Sequence, residues 1–128
     1  MNYLLDTHTL IWLGEDDPRL PVRIRELIEH ESNVIWVSYA TFWEITIKMS
    51  LGKLHLRWSL QEWEQLLAEG GILMLPTSFT HFEALLSLPM HHQDPFDRLL
   101  IAQALAEDFA IITHDAKFAD YPAQLVHF

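Results

Sequence analysis

The sequence predicts an α/β protein: a central, mostly parallel sheet of four to five strands flanked by helices. Three observations predict it. Short apolar runs alternate with longer amphipathic stretches along the chain, the order that right-handed strand–helix–strand crossovers produce. The runs are continuously apolar rather than alternating, as strands are when helices cover both faces of a sheet. Capping and breaking residues fall between these segments rather than inside them.

Taken in order, Tyr3-Leu4-Leu5 is a first strand with Asp6 at its C-terminal end. A short helix covers residues 7–13, broken by Asp16-Asp17-Pro18. Pro21 opens a second helix to about residue 31, in the first turn, where a missing N–H does no harm. Residues 34–37 form the second strand. Ser38 caps a third helix over residues 39–51, closed by Gly52. Ser59 with Glu62 is a capping box for a fourth helix to Glu69, stopped by Gly70-Gly71. Residues 72–75 form the third strand, ended by Pro76. A fifth helix spans about 80–86, ended by Pro89, and Asp94-Pro95 starts a sixth to about residue 108. Residues 110–113 are the fourth strand, and 125–128 are a candidate fifth.

The chain has 128 residues, the size of one domain, and half of them are hydrophobic. A domain of this length buries roughly two-thirds of the surface its unfolded chain exposes, so a core forms without covalent staples. The absence of cysteine excludes disulfides, thiolate zinc sites and cysteine nucleophiles, and fits a reducing compartment. The opening Met-Asn-Tyr-Leu-Leu-Asp has no basic region of the kind a signal peptide carries. No apolar run approaches the roughly 18 residues a membrane span needs. The expectation is a cytoplasmic protein with no membrane attachment.

Net charge is −10, from 8 Lys and Arg against 18 Asp and Glu. Phosphate contacts supply much of the affinity of nucleic-acid binders, so this balance argues against a passive binding module. It is compatible with an enzyme whose acids hold divalent cations, and with a basic protein partner.

The candidate chemistry lies in the acids. Asp6 ends the first strand; alone it reads equally as a helix N-cap. Glu44 sits mid-helix in Thr41-Phe42-Trp43-Glu44-Ile45-Thr46-Ile47-Lys48. It reads either as a surface ion pair with Lys48 or as a buried acid needing a partner or a metal. Asp94 and Asp97 open the sixth helix, where an N-cap and a dipole-facing acid at the third position explain both locally. Asp115 follows the fourth strand and reads alone as a turn residue. What favours chemistry is the set. In parallel sheets the site lies beyond the C-terminal ends of the strands, where Asp6 and Asp115 fall. Like charges about 5 Å apart repel by roughly 3 kcal/mol per pair at an effective dielectric near 20, so such a cluster calls for cations. Oxygen-only ligands suit hard ions, here Mg²⁺ or Mn²⁺.

Taken together, Leu4-Leu5-Asp6-Thr7, Ser38 with Trp43-Glu44-Ile45 and Lys48, Asp97 followed by Leu-Ile-Ala, and Thr113-His114-Asp115 resemble the four motifs of PIN domains. The pattern is most similar to the VapC-type toxins of type II toxin–antitoxin systems, and it spans nearly all of residues 1–128. The resemblance implies a single PIN-like nuclease domain and Mg²⁺- or Mn²⁺-dependent endoribonuclease activity on an RNA substrate. It also implies a homodimer, and an antitoxin that binds the toxin and blocks its site. Asp6, Asp97 and Asp115 would ligate metal directly or through water, and Glu44 would complete the cluster and orient or deprotonate the attacking water. Thr7 or Thr113 would hold a carboxylate or a water from behind. Asp94 would be an accessory acid. Arg98 reads as a solvated helix arginine or as a phosphate contact.

Other residues compete with this set. His8 and His114 adjoin proposed ligands and would suggest zinc, but adjacent residues in a strand point to opposite faces. His91-His92 read as loop. Lys48, Lys53 and Arg57 form a basic concentration, either an RNA guide or a solvated face. Two rival functions remain. Phosphatases that form an aspartyl-phosphate also place Asp then Thr after a first strand, but they resemble Asp-x-Asp-x-Thr, and position 8 here is His. A non-catalytic PIN-like protein-binding module would be favoured by loss of one acid, and all four are present.

Overall fold

The computed structural model describes residues Met1–Phe128. Five strands form one sheet: β1 (Asn2–Leu5), β2 (Val34–Ser38), β3 (Leu73–Leu75), β4 (Ala110–Thr113) and β5 (Leu125–His127). The helices are α1 (Thr7–Gly14), α2 (Val22–Glu29), α3 (Tyr39–Ser50), α4 (Leu60–Glu69), α5 (Phe79–Leu86) and α6 (Pro95–Glu107). A 3-10 turn covers Ala116–Asp120, between β4 and β5. The candidate fifth strand is present and ends at His127. Pro21 stands at the N-cap of α2 rather than inside its first turn, and α2 ends at Glu29, where His30 turns extended.

The strand order is β3-β2-β1-β4-β5, and every pairing is parallel. The chain builds outward from β1 through β2 to β3, then crosses back to lay β4 against the other edge of β1. The order reverses between β1 and β4, and a crevice opens beyond the strand ends at such a point.

Side chains alternate across β1, so its apolar run feeds two cores. Tyr3 and Leu5 pack with Ile24, Ile45 and Trp63, on the face covered by α1 to α4. Leu4 packs with Leu100, Ile101 and Ile111, on the α6 face. Leu100, Ile101, Ala102, Gln103 and Ala104 of α6 are all buried, because this helix lies between the sheet and α5. No helix is long and apolar enough to cross a membrane.

Candidate metal centre

β1 and β4 are neighbours in register, with Leu5 opposite Ile112. The Asp6 N–H donates to Ile112 O at 3.2 Å, carrying the ladder one residue past β1. This brings Asp6 beside Thr113. Asp6 Oδ1 accepts the Thr9 N–H at 2.9 Å, and Oδ2 accepts the Thr113 hydroxyl at 2.6 Å. Asp6 thus caps α1 and also turns a buried oxygen toward β4. Burial pushes its carboxyl above the usual range, against the pull of the Thr113 and Thr9 hydrogen bonds.

Glu44 arrives on the inward stripe of α3, with Ala40, Thr41 and Ile45. Spacings of three and four residues put these on one helix face. Thr7 donates to Glu44 Oε1 at 2.7 Å and Lys48 Nζ to Oε2 at 2.7 Å. The ion pair with Lys48 is present, but the carboxylate it holds is buried. Trp43 packs edge-on against Phe96, with centroids 5.4 Å apart, and ties α3 to the start of α6.

At that start, Asp94 Oδ1 accepts the Phe96 and Asp97 N–H groups, and Pro95 takes the first helical position. Asp97 follows in the first turn, facing inward. Burial pushes its carboxyl up to about 7, with further contributions from the charges of Asp94, Glu44, Asp6 and Asp115. No hydrogen bond offsets them. Segments far apart in sequence therefore share one electrostatic neighbourhood centred on Asp97. Asp115 caps the 3-10 turn through the Lys117 N–H at 2.9 Å, and its own N–H donates to Thr113 Oγ1 at 3.0 Å.

The residue that sequence reasoning left in a loop is His92. It does lie in the loop, but its ring is buried against the acids. Its Nε2 is 2.9 Å from Asp97 Oδ2 and 3.6 Å from Asp115 Oδ2. The approach is off the line of a straight hydrogen bond, so this buried atom stays without a partner. Ligand atoms of His92, Asp97 and Asp115 lie within 4.8 Å of one another. The available signal was position: His92 stands two residues before the N-cap Asp94, close enough for its ring to bond the Asp94 N–H.

Other candidates fall elsewhere. His8 and His114 both pack on Trp12, with centroids 5.9 and 5.6 Å away. Arg98 donates to Pro89 O at 2.8 Å and to the Tyr121 hydroxyl at 3.2 Å, so it braces a loop. Arg57 lies 3.9 Å from Glu15, away from the acids.

The donor set fits a hard divalent cation. It offers carboxylate oxygens, two of them held by threonine hydroxyls, with one acid unrelieved by any hydrogen bond. Hard cations take such oxygens, and outer hydrogen bonds orient the ligands.

Residues 3–124 match the family model described as PIN domain. No curated protein matches. Among solved structures, the chain is similar to VapBC2 from Rickettsia felis bound to a DNA fragment from their promoter. There the identity is 19%, the coverage 99% of this chain and 98% of the other, and the TM-score 0.76. It is also similar to VapBC-1 from nontypeable Haemophilus influenzae, at 20% identity, 99% and 98% coverage and a TM-score of 0.68. A toxin–antitoxin complex from Klebsiella pneumoniae gives 21% identity, 97% and 95% coverage and a TM-score of 0.63. At these identities the likeness is one of fold. The family match, running from β1 to the residue before β5, carries the assignment: the chain belongs to the PIN domain family.

Proposed function

We propose that this chain is the toxin of a bacterial toxin–antitoxin pair, a VapC-type endoribonuclease dependent on Mg²⁺ or Mn²⁺. The observation that carries the reading is Asp97. Its carboxyl is pushed up to about 7 by burial and by four surrounding acids, a strained arrangement that a divalent cation relieves.

Asp6, Asp97 and Asp115 hold the cation, directly or through water. Thr113 fixes Asp6 for that task. Glu44, anchored by Thr7 and Lys48, completes the cluster and orients the attacking water. When bound, such an ion acidifies water and neutralises charge that develops on the phosphate. Asp94 keeps α6 capped and adds charge to the cluster without being a ligand. Asp97, raised by burial, would hold the ion in its ionised form. Phosphoryl transfer to Asp6 is disfavoured, because both its oxygens are already bonded and it is buried.

The surface supports protein partners. Trp43, Phe79, Leu86 and Met90 are all exposed, apolar side chains that a protein partner would cover. A second copy and an antitoxin are the partners that the toxin–antitoxin likeness suggests.

RNA cleavage by the purified protein tests the reading. Cleavage should require Mg²⁺ or Mn²⁺ and vanish in EDTA, and Asp6→Asn should be inactive yet folded. Undiminished cleavage in EDTA would contradict the metal mechanism. Expression without the antitoxin should arrest growth for the wild type and not for Asp6→Asn.

A further inference from the structure

His92 combines three observations that none of the roles above uses. Its side chain is more than nine-tenths buried, at 7% exposure. Its Nε2 has no hydrogen-bond partner and points at two of the proposed ligands, Asp97 and Asp115. Its other nitrogen, Nδ1, accepts the Asp94 N–H at 3.2 Å.

The last contact decides the tautomer. An Nδ1 that accepts a backbone N–H carries a lone pair, so the ring proton sits on Nε2. A proton on Nδ1 would set two donors against each other and cost the hydrogen bond. A metal-ligating Nε2 needs that arrangement, since its own lone pair must face the ion.

The loop around His92 is built to hold it. The Tyr121 hydroxyl accepts the N–H groups of His91 and His92, at 3.1 and 2.9 Å, and donates to Pro89 O at 2.9 Å. Arg98 reaches the same Pro89 oxygen and the same hydroxyl. Phe118 meets the His92 ring edge-on. A loop with this bracing sets one side chain rigidly.

We propose that His92 is a positioning residue: its ring, set in place by the Asp94 N–H on Nδ1, lays its Nε2 edge against the carboxylates of Asp97 and Asp115 and keeps them as a preformed pair without itself binding the ion. A polar ring edge wedged between two acids fixes their separation before an ion arrives. The inference rests on the metal-site reading above and names how that site is kept in shape.

Two measurements test it. In metal-free, ¹⁵N-histidine-labelled protein, long-range ¹H–¹⁵N spectra report the tautomer of each ring, and His92→Gln identifies the His92 signals by their loss. The expected result is a proton on Nε2 and a lone pair on Nδ1; a proton on Nδ1 overturns the proposal. With Mn²⁺, pulsed electron paramagnetic resonance reports nitrogen bound to the ion, and titration gives affinity. Wild type should bind Mn²⁺ with no directly bound nitrogen. His92→Ala should lose affinity by about 10–100-fold, while His92→Gln, which keeps an N–H near the Nε2 position, should stay within about threefold. Directly bound nitrogen makes His92 a ligand and overturns the proposal. Equal affinity in all three proteins reduces it to packing and overturns it too. Wild type that binds no Mn²⁺ sinks the metal-site reading together with this one, whereas undiminished binding by His92→Ala sinks this one alone. The two wild-type measurements stand even where the Ala variant does not fold.

Discussion

Thr113 donates to Asp6 Oδ2 at 2.6 Å while accepting the Asp115 N–H at 3.0 Å, so one buried hydroxyl ties the end of β1 to the turn after β4. Thr113→Val keeps the shape and deletes both bonds. The variant should lose about 1–3 kcal/mol of stability, as buried partners of a charged group do when orphaned. Its divalent-cation affinity should fall about tenfold or more. Thr113→Ser should recover most of both. Melting curves and Mn²⁺ titration of the three proteins check this; a Val variant equal to wild type in both would remove Thr113 from the site.

The pH dependence of the metal-free protein follows from Asp97. Its carboxyl lies at about 7 folded against an ordinary 3.8, so between those values the folded state binds more protons than the unfolded one. Stability then falls as pH rises through that window. The raised carboxyl of Asp6 acts with the same sign. In EDTA, Asp97→Asn should gain on wild type steadily from about pH 4 to about pH 7 and then level off, by several degrees in melting temperature. A constant difference between the two across that range would contradict the shift.

Asp94 and Asp97 separate by role. Asparagine caps as well as aspartate, so Asp94→Asn should keep α6 and lower cleavage by less than about tenfold. Asp97→Asn should lower it by about a hundredfold or more. Equal losses, measured as kcat/KM on one RNA, would make Asp94 a ligand.

Gly14 offers a control away from the acids. A Cβ there would lie 2.0 Å from Trp63 Cη2, and Trp63 is among the largest fully buried side chains. Gly14→Ala should lose about 1–3 kcal/mol through overpacking, a melting drop of several degrees. Its response to Mg²⁺ should be unchanged. A neutral Gly14→Ala would mean that α1 and Trp63 separate easily.

Much of the fold was legible because local signals agreed with the tertiary outcome. The capping box at Ser59 and Glu62 and the Asp94-Pro95 opening of α6 both appear as read. So does the end of β1 at Asp6. Each acid carried two readings, and for Asp6 and Glu44 both hold: Asp6 caps α1 and lies buried at the strand ends, and Glu44 pairs with Lys48 while buried. Local physics could not separate readings that coexist. The strand order was not legible, since it depends on the return of β4 beside β1. Arg98 and His92 escaped for a related reason. Tyr121 lies far along the chain, and only its packing against Pro89 and His92 gives the arginine a bracing role and turns the histidine inward.

The central claim is that these acids form a cation site, and paired thermal melts of wild type and Asp97→Asn test it most directly. Each is melted in EDTA and in Mg²⁺ at fixed ionic strength. A cation that binds the folded cluster and not the unfolded chain stabilises by about 1.4 kcal/mol at ten times its Kd, a shift of a few degrees at this chain length. The account predicts that shift for wild type, and for Asp97→Asn a higher metal-free melting temperature with most of the Mg²⁺ response gone. Equal Mg²⁺ responses in the two proteins, or a metal-free variant that melts below wild type, would contradict it.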